Sequence, residues 1–477
     1  MYAKGWKRYP PISRRELLRR TSTGFGALAL SALLAEEYGL AAPLIDGKTH
    51  FPAKAKNVIF CFMDGGPSHV DLFDYKPMLN QRQGEEIGKS AVSEKSQSTA
   101  DRVWLGTPWE FKRRGKSGIW VSELFPHITK VVDEICLVRS MVGEVPLHGQ
   151  QNLLMHTGRL TGRSPSFGSW VSYGLGSERD NLPNYVLLDN GLRVPNGGWE
   201  NFSNSFLPAS HAPNVLRARN PVMENIMPAD HPAVQRRKLD LLREQSMRFA
   251  ATTGDSTIEA VIKNYETAFH LQTAMPELAD VSGESEATRK MYGLDSTNEY
   301  KKFYSLQCLR ARRLVERGVR FVEVACPLTH ANNSPWDQHS NLKKYHEENC
   351  MITDQGVAAL IQDLKQRGLL DSTIVLWGGE MGRTPHTPKI KEGVGRDHHV
   401  NGYSIFLVGG GFKRGFTYGT TDEFGNSVVE KPTSIHSVHA TILHQLGLDH
   451  DKLTFRFGGR DMSLTDVHGE ILKELLV

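Results

Sequence analysis

The sequence predicts an α/β protein built on a doubly wound, mostly parallel sheet with helices on both faces. Short apolar runs alternate with segments of helical periodicity, and this alternation is the pattern of a sheet with crossover helices. Acidic and histidine residues follow the ends of three runs, where open α/β sheets bind their ligands. The predicted strands are 57–63, 135–139, 185–188, 320–325, 373–377 and 404–408, and the clearest helices are 351–365 and 434–446.

One large domain is predicted over residues 50–475, and two or three average domains are the alternative that the length allows. The chain has 477 residues, and large α/β enzymes of this size are often one sheet with insertions. Segment 232–318 has helical periodicity nearly throughout and is predicted to be a helical insertion or cap. With 57 basic and 53 acidic residues, the net charge of +4 gives no reason to expect a nucleic-acid partner.

The N-terminus has the features of a bacterial Tat export signal, predicted within residues 1–42. Arg14 and Arg15 precede a modest apolar segment at 25–34, which is too short to span a bilayer. The alternative is a basic amphipathic helix of the folded protein. We therefore expect the Tat machinery as a partner, a periplasmic or extracellular location and no stable transmembrane segment. The five cysteines, an odd number without close pairs, indicate no disulfide framework.

The candidate site residues are carboxylates, imidazoles and one arginine that follow predicted strands. Carboxylate oxygens and imidazole nitrogens suit Zn²⁺, Mn²⁺ or Fe, and arginine is the usual partner of a phosphate-like or sulfate-like anion. Because strand ends meet at one edge of the sheet, we expect these groups to converge on one crevice. They are Asp64, Asp337, His339, Glu380, Arg383, His398 and His399.

The motifs MDGGPSHVDLFD, HGQQNLLMHTGR, WDQH, GGEMGRTP and GRDHH, in this order, resemble the sulfatase-like family of unknown function 1501, placed in the alkaline phosphatase superfamily. The resemblance covers roughly residues 50–475. It implies an alkaline phosphatase-like fold and two divalent metal ions, with Zn, Mn, Ca and Mg all open.

By motif, the resemblance implies that Asp64 is the first metal ligand, Asp337 and His339 a pair, and Glu380 the acid after the penultimate strand. The last ligand would be His398 or His399. The chain departs from the superfamily pattern in two ways: a single residue separates Asp337 from His339, and no histidine follows Glu380.

The superfamily's nucleophile position falls on His148, counted back from Gly158 of the HTGR motif. An imidazole there can ligate a metal or attack phosphorus, and a water molecule can replace it as nucleophile. No cysteine begins the sulfatase signature Cys-x-Pro-x-Arg, which argues against a formylglycine mechanism.

The predicted function is an exported, metal-dependent hydrolase of phosphate or sulfate esters, acting on a small molecule or a glycan. Arg383 is expected to bind the substrate anion, with a salt bridge to Asp397 as the alternative. The rival hypothesis is a non-catalytic secreted binding protein on a degenerate alkaline phosphatase fold.

Overall fold

A computed structural model describes residues 49–88, 101–178, 182–189, 194–217, 222–223, 230–253, 257–327 and 334–477. The predicted Tat signal lies outside these described residues. Within them, no helix is both long and apolar enough to cross a membrane.

The centre of the fold is an eight-stranded sheet. Its strands are β1 (Asn57–Phe62), β2 (Ile135–Met141), β3 (Tyr185–Asp189), β4 (Asn214–Arg217), β5 (Phe321–Ala325), β6 (Thr373–Gly378), β7 (Tyr403–Val408) and β8 (Phe416–Tyr418). They lie in the order β8-β2-β7-β6-β1-β5-β3-β4. Neighbours are parallel except at β7, which runs antiparallel to both β2 and β6. The sheet is therefore mostly parallel.

The helices of the described residues cover both faces of this sheet. They are α1 (His69–Leu72), α2 (Pro77–Gln81), α3 (His148–Thr157), α4 (Phe167–Leu175), α5 (Pro232–Thr253), α6 (Thr257–Ala279), α7 (Glu286–Met291), α8 (Glu299–Glu316), α9 (Leu342–Gln366) and α10 (Ile435–Gln445). One hydrophobic cluster joins the sheet to α8 and α9, and another joins it to α3, α4 and α10. The predicted fold class, a doubly wound sheet between two helical layers, is confirmed.

Strand β1 is buried on both of its faces. Ile59 and Cys61 belong to the cluster beneath α8 and α9, whereas Val58, Phe60 and Phe62 belong to the opposite cluster. Successive side chains of a strand point to opposite faces, so both sets must be apolar when both faces are covered. This double burial fits the position of β1 inside the sheet, between β6 and β5.

Four helices occupy the segment predicted to be an insertion or cap. Helix α8 packs against α9 and β5 as part of the layer on the sheet. Helix α5 pairs with α6, partly through Arg236 and Glu266, whose closest atoms lie 2.6 Å apart. A capping role for this segment remains a proposal.

Candidate metal centre

The candidate site lies where the chain leaves the ends of β1, β5 and β6. Asp64 follows the end of β1 and Glu380 the end of β6. His148 is the first residue of α3. Two short strands, Gly382–Arg383 and His398–His399, pair antiparallel and set Arg383 opposite His398.

Three imidazoles converge on one carboxylate oxygen, Oδ1 of Asp337. The Nε2 atom of His339 lies 3.0 Å from it, and those of His148 and His398 each lie 3.2 Å away. The guanidinium of Arg383 approaches the same oxygen at 2.8 Å. Burial alone would raise the pKa of Asp337, but the three histidines and Arg383 hold it well below its usual range. Asp337 Oδ1 is therefore the acceptor that all four basic side chains share.

A separate acceptor holds the second nitrogen of each imidazole. Nδ1 of His148 lies 2.5 Å from a carboxylate oxygen of Glu380, and Nδ1 of His339 lies 2.8 Å from Asp397. Nδ1 of His398 donates to the carbonyl of Pro146 at 2.8 Å. Such acceptors fix the tautomer of metal-binding histidines and aim the other nitrogen at the ion. Here all three aim Nε2 at Asp337.

Protonation of the histidines depends on these partners. Burial lowers the pKa of His148, but hydrogen bonds to Asp337 and Glu380 outweigh it and raise the pKa to about 9. Hydrogen bonds to Asp337 and Asp397 raise the pKa of His339. For His398, burial prevails and lowers the pKa. Without a cation, a proton on His148 balances the charge of Glu380.

Asp64 and Glu380 form a second buried acidic group beside the first. The backbone N–H of Gly65 donates to both oxygens of Glu380, at 3.1 and 3.2 Å, and Asn152 donates to Asp64 at 3.0 Å. Burial, followed by the charge of Glu380, raises the pKa of Asp64 to about 7. Two adjacent buried carboxylates repel each other unless a proton or a cation lies between them. This group also favours a bound cation.

Arg383 is enclosed by the chain itself. It is 1% exposed and donates to the carbonyls of Gly65 and, at 3.1 Å, Gly66, as well as to Asp337. Its ion-pair partner is Asp337, and Asp397 instead pairs with Arg102 at 2.6 Å and with His339. The salt bridge from Arg383 to Asp397 that the sequence left open is not formed.

The side chains of His398 and His399 have different neighbours, although the two residues are adjacent in the chain. His399 is 4% exposed and its ring stacks on His69, with centroids 5.9 Å apart. None of the described residues hydrogen-bonds Nε2 of His399. Neighbouring residues of an extended strand point in opposite directions, so only His398 faces the cluster.

Sequence reasoning missed several residues that orient the site. Asp397 lies in the GRDHH motif beside the predicted ligands, so its position was a usable indication. Asn152 lies four residues after His148 on the same helix face and joins Asp64 to the carbonyl of Asn196. The carbonyl of Pro146 carries no sequence indication, because any residue offers the same atom.

The residues present fit a divalent metal ion. One ligand atom each from His148, Asp337 and His398 lies within 4.8 Å of the other two, with His339 adjacent. Nitrogen and oxygen donors of this kind suit Zn²⁺, Mn²⁺ or Fe, and the paired Nδ1 atoms supply the orienting acceptors.

The chain matches the family described as "Protein of unknown function (DUF1501)" over residues 55–476. None of the curated proteins compared with it matches.

Among solved structures, it is similar to a PsFucS1 sulfatase from Pseudoalteromonas sp., with 12% identity, TM-score 0.38 and coverage of 94% of this chain and 75% of the other. A phosphonate monoester hydrolase from Silicibacter pomeroyi has 11% identity, TM-score 0.35 and coverage of 74% and 71%. A TAB5 alkaline phosphatase mutant with bound Mg has 9% identity, TM-score 0.35 and coverage of 83% and 99%. TM-scores this low mark a loose likeness, from which no residue role follows.

Proposed function

The chain belongs to the DUF1501 family of unknown function, and we propose from its site that it is a metal-dependent hydrolase of phosphate or sulfate esters. The observation that supports this is the set of imidazoles around Asp337. Each imidazole has its Nδ1 atom on a dedicated acceptor and its Nε2 atom directed at the same carboxylate oxygen of Asp337. A surface network has no need of such matched orientation, whereas a metal site does.

In this proposal His148, Asp337, His339 and His398 hold the ion, while Glu380 and Asp397 orient two of the imidazoles. When bound, a divalent ion supplies positive charge that polarises the ester oxygen and lowers the pKa of a water molecule. Asp64 and Glu380 provide a second acidic position, which supports the expectation of two ions.

We assign the attack on the ester to water and not to His148. Nδ1 of His148 is occupied by Glu380, and its Nε2 faces Asp337 and Arg383, at 3.2 and 3.4 Å. A histidine held at both nitrogens is a ligand or a structural group and has no lone pair directed at a substrate. A phosphorylated His148, trapped by acid quench during turnover, would contradict this assignment.

The test is hydrolysis by the purified chain after chelation and reloading with Zn²⁺, Mn²⁺, Mg²⁺ or Ca²⁺. The substrates are 4-nitrophenyl phosphate, bis(4-nitrophenyl) phosphate and 4-nitrophenyl sulfate. We expect at least one loaded form to turn over at least one ester, and His398→Ala to abolish that turnover. The matched control is His450→Ala, since His450 is similarly buried but bonds to Thr465 away from the cluster.

Two results would contradict the proposal: no turnover by any loaded form, or full turnover by His398→Ala. Tight metal binding without turnover would favour the non-catalytic binding protein. Export through the Tat machinery to the periplasm or outside the cell remains part of the proposal, as does a small-molecule or glycan ester as substrate.

A further inference from the structure

Two large apolar side chains are exposed beside the candidate metal centre. Trp199 is 57% exposed and Leu147 is 49% exposed. Tryptophan is highly buried on average, and Trp170 and Trp377 in this chain are each 1% exposed. Trp199 is thus far more exposed than these buried tryptophans.

The backbone on which Leu147 and Trp199 lie is close to residues of the candidate metal centre. Leu147 lies between Pro146, whose carbonyl binds His398, and His148 itself. Trp199 is two residues beyond Gly197, whose backbone lies against that of Gly149. A Cβ added at Gly197 would come within 3.1 Å of the Gly149 carbonyl oxygen, so this close approach needs glycine. Both residues therefore lie on backbone that adjoins the start of α3, where His148 enters the cluster.

The segment that carries Trp199 is held in place before any ligand binds. Nδ2 of Asn152 donates both to Asp64, at 3.0 Å, and to the carbonyl of Asn196, at 2.9 Å. Asn201 donates to the same carbonyl at 3.0 Å. Phe202, which is 2% exposed, lies edge-on beneath the indole with ring centroids 6.0 Å apart. A rigid platform loses little conformational entropy when it binds a ligand.

We propose that Trp199 and Leu147 form a ring-binding platform for the organic group of the ester. This inference rests on the proposed hydrolase function and narrows its substrate class. An indole face stacks on flat rings, whereas the carboxylate of the neighbouring Glu200 already accepts from the backbone N–H of Arg163 at 3.0 Å. A sugar ring and an aryl ring share this stacking chemistry. The substrate is thus an ester of a cyclic alcohol, bound with its anion at the cluster and its ring on the platform.

The test compares Trp199→Ala with wild type on esters that do and do not carry a ring. The probes are 4-nitrophenyl phosphate, glucose 6-phosphate and methyl phosphate, or the matching sulfates if the enzyme prefers them. We expect KM to rise roughly 5- to 50-fold for ring-bearing esters, within the range that stacking on an aromatic side chain supplies. KM for the methyl ester, kcat and metal content should stay unchanged. Trp199→Phe should restore most of the loss.

The glucose and nitrophenyl arms distinguish a sugar ring from an aryl ring, and a rise in either supports the platform. The control is Phe249→Ala, which removes an aromatic that is 59% exposed on α5. An unchanged KM for both ring esters, or an equal rise for the methyl ester, would overturn the inference while leaving hydrolysis established.

If wild type hydrolyses none of the esters, the proposed hydrolase function is wrong, but the platform can still be tested. Calorimetry then compares the affinity of wild type and of Trp199→Ala for 4-nitrophenyl phosphate, which tests the platform independently of hydrolysis. Weaker binding by the variant would support it, and equal binding would reject it.

Discussion

The buried ion pair between Asp71 and Arg396 is expected to be the most costly pair in the site region to break. Arg396 approaches the carboxylate with two nitrogens, at 2.7 and 3.0 Å, and neither side chain is exposed. Ser68 donates to the same carboxylate at 2.5 Å, and Arg396 also donates to the carbonyls of Leu105 and Thr384. The pair thereby anchors the loop before His398 to helix α1, which follows β1.

Asp71→Ala would leave the Arg396 guanidinium buried and unpaired. Removing one partner of a buried pair costs about 3–5 kcal/mol, a large share of the ~5–15 kcal/mol that stabilises a typical protein. The matched control is Asp461→Ala, which breaks a pair with Arg456 whose side chains are 61% and 41% exposed. An exposed pair contributes about 1 kcal/mol or less.

Urea unfolding followed by tryptophan fluorescence measures both free energies of unfolding. We expect the midpoint of Asp71→Ala to fall far below those of wild type and the control. Burial raises the pKa of Asp71, but Arg396 outweighs it, so the folded pKa lies below the usual value. The difference between wild type and variant should therefore be complete above about pH 4 and shrink as pH falls through the folded pKa. Equal midpoints for the two variants would refute the reasoning.

Three further predictions concern the site and export. Glu380→Gln should weaken metal binding about 10- to 100-fold in chelator competition, because Glu380 orients His148 through a 2.5 Å contact; unchanged affinity would exclude that role. Arg383→Lys should lower both the thermal midpoint and turnover, because lysine cannot reproduce a planar fork that reaches two backbone carbonyls and Asp337. If Arg383→Lys lost turnover but kept its thermal midpoint, Arg383 would instead be assigned to binding the substrate anion. Replacing Arg14 and Arg15 by lysine should leave unprocessed precursor in the cytoplasm, and normal export would reject the Tat interpretation.

The central strands were predictable because burial on both faces makes them largely apolar, with few exceptions such as the buried Glu323 of β5. Strands β1, β5, β6 and β7 all fall on predicted runs. The direction of β7 was not predictable, since an apolar run has no polarity along the chain. The edge strands β4 and β8 were missed, because they are short and partly exposed and so lack a strong apolar pattern. Family membership, inferred from the ordered motifs, is confirmed by the match over residues 55–476.

For the candidate site, the sequence indicated which residues belong to it better than it indicated which groups they contact. The approach of Asp64, Asp337 and Glu380 follows from their places after strand ends, which is a property of the topology. The partner of Arg383 does not follow from its type, because its charge suits both a substrate anion and Asp337. The choice between residues 398 and 399 needs the register of their short strand against Arg383, which sequence alone does not supply.

The most direct test of the central claim is an anomalous-diffraction map from crystals of the metal-loaded protein. The proposal predicts a peak within bonding distance of Asp337 Oδ1 and of the Nε2 atoms of His148, His339 and His398, about 2.0–2.2 Å for Zn²⁺. The same crystals of His398→Ala should lose or weaken this peak. A loaded, active protein with its metal elsewhere, or with an empty cluster at Asp337, would contradict the account.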